Sequence, residues 1–341
     1  MSPASENEPG NSSAALAADA DVLDAAAAEA LLAESLATNV DEPEPDLPPI
    51  TTVEVDGVTV HHRDSGHNVS GPTYVLVHGL GGSLANWEPV WPYLARLGRV
   101  LTPDLAGFGR TEADAGRSAV GDNVDLLSAY LDVVDARNVV LVGNSMGGMI
   151  SLLLAAKGHP QLERLVLVDA VVPFGPKVRP NPRVGLTFAL YMCPPLARFV
   201  VPRYVQRRGT DQMGLDGVLV VVADRRRVPR WVWRRAVEEA RALTEIQSAV
   251  PSLVRAAQSI VIAGASRSYR RALAEVTVPV TFLQGDADAL VPARGVRAAL
   301  ARVPEWNYVE AEGVGHVPMF EAATWTAAVI AGRIRGNITN M

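Results

Sequence analysis

A serine flanked by glycines is the feature of this sequence that most directly suggests chemistry. Gly143-Asn144-Ser145-Met146-Gly147-Gly148 follows an apolar run at 139–142 and precedes a small, apolar run at 149–156. A strand, a sharp turn and a helix in this order make a nucleophile elbow, which raises the serine hydroxyl above the sheet edge. The turn leaves no room for a Cβ on either side, so glycine flanks the serine. The helix behind Ser145 also directs free backbone N–H groups towards it. We therefore expect Ser145 to be a nucleophile.

A serine hydroxyl is a poor nucleophile at neutral pH and needs a base within hydrogen-bond reach. Among the six histidines, His316 is the best candidate because it lies in a glycine-rich loop, 312–318, after the last predicted strand. Such loops gather at the carboxyl ends of parallel strands, where ligands bind. His78 ends a predicted strand, and we expect it to be a structural hydrogen-bonding residue.

The base in turn needs a carboxylate that fixes its tautomer and stabilises the imidazolium. The segment 284–292 follows a predicted strand ending at Leu283 and offers two carboxylates, Asp286 and Asp288. Asp169, at the tip of another predicted strand, is a third candidate.

Short apolar runs that alternate with helix-length segments predict the elements that position these residues. The runs lie at 74–77, 99–102, 139–142, 165–168, 278–283 and 306–309. Near-continuous valine and leucine runs are typical of parallel strands that are covered on both faces. The alternation predicts an α/β fold with a doubly wound, mostly parallel sheet.

Charge divides the chain into three regions. Residues 1–50 hold 11 acidic and no basic residues, are rich in alanine and proline, and predict a mobile tail. Residues 171–275 hold 18 basic and 7 acidic residues, interrupt the strand rhythm, and predict an inserted, mainly helical cap. Residues 51–170 and 276–341 remain as the core of the fold.

Together these motifs resemble the α/β-hydrolase fold superfamily, in particular its serine hydrolases of the esterase and lipase type with a cap domain. The resemblance covers roughly residues 52–170 and 276–335. The family's Gly-x-x-Asp-x-x-Val-Pro pattern selects Asp288 as the acid, and the order Ser145, Asp288, His316 is the family's order. The resemblance also implies an oxyanion hole made by the backbone N–H groups of Leu80, in the loop after His78, and of Met146. Each such donor typically contributes about 2.7–4 kcal/mol.

The resemblance implies a carboxylic-ester hydrolase that acts on a moderately apolar small-molecule ester through an acyl-enzyme. A second candidate is a carbon–carbon bond hydrolase of the meta-cleavage-product type, whose elbow also resembles Gly-Asn-Ser-Met-Gly-Gly. Two departures weigh against it: Val317-Pro318 follows His316, and the acid loop lacks that family's Gly-Arg. A candidate of another class is a non-catalytic binding protein on the same fold.

The sequence contains no motif for a metal or a nucleotide, so we expect no cofactor, and it contains no motif for nucleic-acid binding. The apolar run at 184–201 could line an acyl pocket or lie on a membrane surface. An arginine cluster around Trp231 and Trp233 could bind anionic lipid or an anionic substrate group; its members are Arg225, Arg226, Arg227, Arg230, Arg234 and Arg235. With one cysteine, no visible signal sequence and no apolar run of ~20 residues, the chain is expected to be cytoplasmic, with peripheral membrane contact through the cap as an open alternative.

Overall fold

Eight strands form one sheet in the computed structural model, which describes residues 22–67, 69–173 and 181–336. In chain order they are β1 (Thr51–Val55), β2 (Val58–Asp64), β3 (Thr73–Val77), β4 (Arg99–Pro103), β5 (Val139–Asn144), β6 (Leu162–Val168), β7 (Val280–Gly285) and β8 (Asn307–Ala311). Their order across the sheet is β1-β2-β4-β3-β5-β6-β7-β8. The β1–β2 and β2–β4 pairs are antiparallel and all other pairs are parallel, which confirms the mostly parallel sheet expected from the sequence.

Helices fill the connections between the strands of the described ranges. In chain order they are α1 (Ala25–Thr38), α2 (Trp91–Leu94), α3 (Val120–Val133), α4 (Met146–Lys157), α5 (Pro182–Tyr191), α6 (Pro194–Arg208), α7 (Thr210–Val221), α8 (Arg230–Leu243), α9 (Ala249–Ala265), α10 (Arg267–Glu275), α11 (Ala293–Leu300), α12 (Pro318–Glu321) and α13 (Ala323–Ile330). Short 3-10 turns occupy Asn39–Asp41, Leu84–Trp87, Ala115–Arg117 and Arg225–Arg227. The helices α5 to α10 all lie between β6 and β7 and are called the cap below.

Apolar side chains cover the sheet on both faces, as its valine and leucine runs require. Along β3, Val75 and Val77 join one buried cluster, whereas Tyr74 and Leu76 join another on the opposite face. The first cluster includes buried side chains of α3 and α4, and the second includes those of α1, α2 and α13. The carboxyl ends of the parallel strands are therefore held by packing from two sides.

The cap contacts the core at two loops that follow the strands β3 and β8. The backbone N–H of His316 donates to the carbonyl of Val221, at the end of α7, at 2.8 Å. On the β3 side, Ser83 Oγ donates to the carboxylate of Glu239, in α8, at 2.7 Å. These contacts join the cap to the loop of Leu80 and to the loop of His316.

The N-terminal segment, which we expected to be a mobile tail, is described over residues 22–50, and residues 1–21 lie outside the described ranges. Helix α1 packs against α13 and buries Leu31 to 4% exposure. Beyond the helix, the Asn39 side chain donates to the carbonyl of Phe320 at 2.6 Å and accepts from the N–H of Ala323 at 3.1 Å. The alanine-rich helix has an apolar side that the core covers, and the segment after it offers an amide that binds buried backbone groups of α12 and α13.

Within the described ranges, no single helix combines the length and apolar character that a membrane crossing requires. Two bent helix pairs have the length and composition of a membrane span only when both helices of a pair are counted together. These pairs are α5 with α6 and α9 with α10.

Candidate active site

Ser145 lies at the junction of β5 and α4 in a backbone conformation that side chains rarely adopt. Its φ is 54° and its ψ is −115°, so it is one of the few described residues other than glycine with a positive φ. Its N–H donates to the carbonyl of Val168 at 3.0 Å, and its carbonyl accepts the N–H of Met149 at 3.1 Å. The neighbouring strand and the first turn of the helix together hold this strained turn, as a nucleophile elbow requires.

The flanking glycines are required by close backbone contacts. A Cβ on Gly143 would lie 2.4 Å from the carbonyl oxygen of Gly147. A Cβ on Gly147 would lie 2.4 Å from the carbonyl oxygens of both Val77 and His78. Glycine at these positions therefore lets the start of α4 approach the end of β3, which brings Met146 next to the loop that contains Leu80.

His316 and Asp288 form a buried pair. His316 Nδ1 lies 2.7 Å from Asp288 Oδ2, and both side chains are almost fully shielded from solvent. The other carboxylate oxygen of Asp288 accepts the N–H groups of Leu290 at 2.7 Å and Val291 at 3.0 Å. These two bonds fix the orientation of the carboxylate. Because Asp288 accepts the hydrogen bond from His316, Nδ1 is the ring nitrogen that donates. The Nε2 atom of His316 is then the nitrogen that can accept a proton.

The elbow and the histidine loop are joined through Asn144, the residue before the serine. Its Nδ2 donates to the carbonyl of His316 at 3.1 Å and to the carbonyl of Val168 at 3.1 Å. Within the described ranges, Ser145 Oγ makes no hydrogen bond to His316 or to another residue. The structure thus brings Asp288 and His316 into direct contact and ties His316 to the serine turn through the backbone. Catalytic hydrogen bonds are often long before substrate binds and shorten in the complex.

The loop that carries Leu80 passes directly beside the serine. A Cβ on Gly79 would lie 3.1 Å from the Cβ of Ser145. Leu80 N–H and Met146 N–H donate to no other residue in the described ranges, and Met146 is the first residue of α4, where N–H groups have no partner within the helix. Two unused backbone donors therefore lie on either side of Ser145.

His78 fixes the direction of one of these donors. Its Nδ1 binds the carbonyl of Gly79 at 2.8 Å, and its Nε2 accepts the N–H of Leu105 at 3.0 Å. Complete burial lowers the pKa of His78 to about 4, so the ring is neutral at physiological pH. The Gly79 carbonyl and the Leu80 N–H belong to one planar trans peptide, and fixing the first sets the direction of the second. His78 therefore has the structural hydrogen-bonding role that we expected.

Asp169 is a third group beside the His316–Asp288 pair. The polar side-chain atoms of Asp169, Asp288 and His316 all lie within 4.8 Å of one another. Burial and then the charge of Asp288 raise the pKa of Asp169 well above its usual range, which favours the protonated form of this carboxyl group. Its Oδ1 accepts from Gln284 Nε2 and from the N–H of Gly285, both at 2.8 Å, while Oδ2 receives no hydrogen bond from a donor in the described ranges.

Gln284 is a site residue that the sequence analysis missed. Its Nε2 contacts Asp169 Oδ1 at 2.8 Å and Asp288 Oδ2 at 3.4 Å, so that one amide lies between two carboxyl groups. The only signal in the sequence was a polar residue near the end of an otherwise apolar strand, immediately before the acid loop. Asp286, the other acid of this loop, accepts the N–H of Gly313 at 2.6 Å and connects the acid loop to the histidine loop.

The same three side chains are also residue types that bind metal ions. However, the 2.7 Å separation between His316 Nδ1 and Asp288 Oδ2 is a hydrogen-bond distance, with the two atoms directed at each other. The raised pKa of Asp169 also disfavours the ionised form in which carboxylates bind metals. The geometry therefore fits a hydrogen-bonded acid–base group better than a metal centre.

Comparison with known proteins identifies the family. Residues 74–329 match the sequence profile of the Alpha/beta hydrolase family, which is more than half of the chain. The chain is an alpha/beta hydrolase. The match includes the serine turn, the acid loop and the histidine loop described above.

Relatives of this alpha/beta hydrolase are named as enzymes of more than one kind. The chain is 40% identical over 119 residues to 2-hydroxy-6-oxo-2,4-heptadienoate hydrolase from Pseudomonas putida, but this alignment covers only 34% of the chain and 42% of that protein. It is 27% identical over 280 residues to the pimeloyl-[acyl-carrier protein] methyl ester esterase of Aromatoleum aromaticum, covering 78% of the chain and 99% of that protein. Among solved structures, a bacterial membrane phospholipase A superimposes with a TM-score of 0.65 at 23% identity, covering 90% of the chain and 91% of that protein, which shows a shared fold.

Two members of the arginine cluster of the cap form ion pairs with other parts of this hydrolase. Arg235 pairs with Glu88 of the core at 3.0 Å and with Glu44 of the N-terminal segment at 3.1 Å, and Arg234 also pairs with Glu44. Trp231, which the sequence analysis grouped with these arginines, is buried. Arg234 and Arg235 therefore connect the tail, the core and the cap, whereas Arg225 and Arg230 are exposed.

Proposed function

We propose that this alpha/beta hydrolase is a serine hydrolase that cleaves a carboxylic ester. The observation that carries the proposal is the buried 2.7 Å hydrogen bond between His316 and Asp288, in a loop tied through Asn144 to the strained turn of Ser145. A base oriented by a carboxylate next to an elbow serine is the arrangement that acyl transfer requires.

In this proposal, His316 Nε2 takes the proton of Ser145 Oγ as the oxygen attacks the ester carbonyl. The N–H groups of Leu80 and Met146 stabilise the negative oxygen of the tetrahedral intermediate. His316 then gives its proton to the leaving alcohol, which leaves an ester between Ser145 and the acyl group. A water molecule, deprotonated by the same nitrogen, cleaves this acyl-enzyme and restores the serine. Asp288 stabilises the imidazolium in both halves of the reaction.

The lengths over which the relatives align favour ester hydrolysis over carbon–carbon bond hydrolysis. The relative that aligns over nearly its whole length is named as a methyl ester esterase. The relative named as a heptadienoate hydrolase is more similar, but over less than half of its length. Carbon–carbon bond hydrolysis remains the second candidate because that similarity includes 119 residues at 40% identity.

The experiment is a hydrolysis assay on p-nitrophenyl esters of increasing acyl length, run beside 2-hydroxy-6-oxo-2,4-heptadienoate. We expect turnover of an ester and a loss of roughly 10³-fold or more in kcat for Ser145→Ala. Ser151→Ala is the matched control, since Ser151 is a buried serine of the same helix whose hydroxyl has no partner in the described ranges. The control should retain wild-type turnover.

Three results would count against the proposal. Unchanged ester turnover in Ser145→Ala would exclude this serine as the nucleophile. Turnover of the dienoate alone would favour the carbon–carbon bond hydrolase. A folded protein that a fluorophosphonate probe does not label would favour a binding protein on a hydrolase fold.

A further inference from the structure

We propose that the helices α5 and α6 of the cap form a surface that attaches this hydrolase to a membrane rich in anionic lipid. The two helices, called the cap hairpin below, meet at an angle of 116° and pack on each other and on α9. The proposal rests on their exposed side chains and is independent of the catalytic chemistry.

The cap hairpin exposes more large apolar side chains than its packing explains. Leu186 is 74% exposed, Phe199 55% and Leu196 48%. Helix α5 has no buried residue and α6 buries only Ala197. Isolated apolar residues on a surface are ordinary, but several on one pair of helices mark an interaction surface.

The exposed residues of α6 form a stripe. Leu196, Phe199, Arg203 and Arg207 are spaced three or four residues apart, so they lie along one side of the helix, and all four are exposed. The guanidinium carbon of Arg203 lies 3.5 Å from the centre of the Phe199 ring. A helix side that presents apolar side chains followed by arginines is typical of helices that lie in the interface of a bilayer.

The charge of the cap hairpin selects an anionic partner. Residues 182–208 contain five arginines and no acidic residue. Arg208 pairs with Asp216 of α7, whereas Arg183, Arg198 and Arg207 form no ion pair with residues of the described ranges. Outside the hairpin, Arg234 and Arg235 pair with Glu44, and Arg235 also pairs with Glu88.

Anionic lipid fits these observations better than a nucleic acid or a second copy of this chain does. A nucleic acid would match the arginines but not the exposed leucine and phenylalanine side chains. A symmetric contact with a second copy would bring five arginines against the same five, and like charges in contact are unfavourable. Anionic phospholipid supplies both requirements, because its headgroups pair with arginine and its acyl chains accept apolar side chains.

The inner side of the cap hairpin explains how this surface is held. The rings of Phe188 and Tyr191 pack edge to face with centres 6.3 Å apart, and Phe188 packs against the main core cluster. Gln258 of α9 donates to the carbonyl of Tyr191 at 2.9 Å. The aromatic side chains of α5 therefore anchor the hairpin, and the remaining apolar residues are free for a partner.

The test is co-sedimentation of the full-length protein with phosphatidylcholine vesicles that either contain or lack phosphatidylglycerol. We expect binding only to the anionic vesicles, and weaker binding as salt rises. Arg198→Glu with Arg207→Glu should reduce the bound fraction by roughly tenfold or more, since each arginine near an anionic surface strengthens attachment. Leu186→Ser with Phe199→Ser should also weaken it, because apolar burial is lost.

The matched control is Arg225→Glu with Arg230→Glu, which makes the same charge change at exposed cap positions outside the hairpin. It should bind like the wild type. Equal binding to both kinds of vesicle, or an equal loss in the control, would overturn the proposal. A concentration-dependent dimer that Phe199→Ser abolishes would identify a second copy as the occupant instead. Each variant should keep the far-UV circular dichroism spectrum and the melting temperature of the wild type, which shows that it is folded.

Discussion

At the scale of single residues, two buried carboxyl groups next to one imidazole have different hydrogen-bond partners. Asp288 is paired with His316 and accepts two backbone N–H groups. Asp169 is buried beside Asp288, and its pKa is raised well above the usual range. In its protonated form, which the raised pKa favours, Asp169 can donate a hydrogen bond to Asp288, whereas an ionised Asp169 could not.

This difference predicts that the same substitution has a small effect on turnover at Asp169 and a large effect at Asp288. Asp169→Asn should keep ester turnover within about threefold, because an amide preserves both the acceptor used by Gln284 and a donor towards Asp288. Asp288→Asn should lower kcat by roughly 10³–10⁴-fold, since an amide does not hold the required tautomer of His316. The measurement is kcat on a p-nitrophenyl ester at neutral pH. Comparable losses in both variants would mean that Asp169 is an ionised partner of the base.

Asp169→Asn should also change the stability of the fold in a pH-dependent manner. The unfolded chain releases the Asp169 proton above about pH 3.9, whereas the folded protein retains it to a higher pH. As the pH rises above about 4, the free energy of unfolding therefore falls by about 1.4 kcal/mol per pH unit, until the pH reaches the pKa of Asp169 in the folded protein. Asparagine does not titrate and so lacks this loss of stability. The variant should therefore gain stability relative to the wild type between pH 5 and pH 7. Thermal unfolding of both proteins at the two pH values measures the gain, and a constant difference would contradict it.

At the scale of elements, the elbow depends on how closely α4 approaches the end of β3. Gly147→Ala adds a methyl group 2.4 Å from two carbonyl oxygens of the β3 end, and α4 would have to shift away from the loop of Leu80. We expect a destabilisation of about 1–3 kcal/mol, the usual range for overpacking, together with a lower kcat.

Gly121→Ala is the control, because this exposed glycine of α3 has nothing within 4 Å of the added methyl group. Alanine there should stabilise the protein by about 0.5–1 kcal/mol through its higher helix propensity. Urea unfolding of both variants checks the pair. A Gly147→Ala protein as stable and active as the wild type would show that the close approach does not matter.

The elements could be predicted from sequence where a local pattern encodes them. The apolar runs predicted β3 to β8, and the glycines around Ser145 predicted the turn, because strand burial and tight turns depend on neighbours in the chain. The contact between His316 and Asp288 followed from a family resemblance and the rule that parallel strands end at one edge. The amide of Gln284 between two acids could not be predicted, since it depends on the register of β6 against β7. The docking of residues 22–50 likewise depends on partners far along the chain.

At the scale of the whole molecule, a few buried polar groups join the tail, the core and the cap. The carboxylate of Glu321 accepts the N–H groups of Ala223 and Asp224 from the cap and of Gly315 from the histidine loop, at 2.8–3.0 Å. Asn39 of the tail binds the carbonyl of Phe320, the residue before Glu321. The tail therefore supports α12, and the same helix holds the cap against the loop of His316.

A substitution at Asn39 tests whether the tail stabilises this arrangement. Asn39→Ala removes hydrogen bonds to the carbonyls of Arg227 and Phe320 and to the N–H of Ala323, and leaves these buried groups without that partner. We expect a loss of about 1–3 kcal/mol or more in the free energy of unfolding, since unsatisfied buried polar groups are costly. Thr38→Ala, at the exposed position next to it, should change the stability by less than about 0.5 kcal/mol. If the tail supports the cap through α12, then Asn39→Ala should also speed proteolytic cleavage of the cap in the folded protein, whereas Thr38→Ala should not. Equal stability and equal cleavage in the two variants would mean that the docked tail is an appendage without influence on the site.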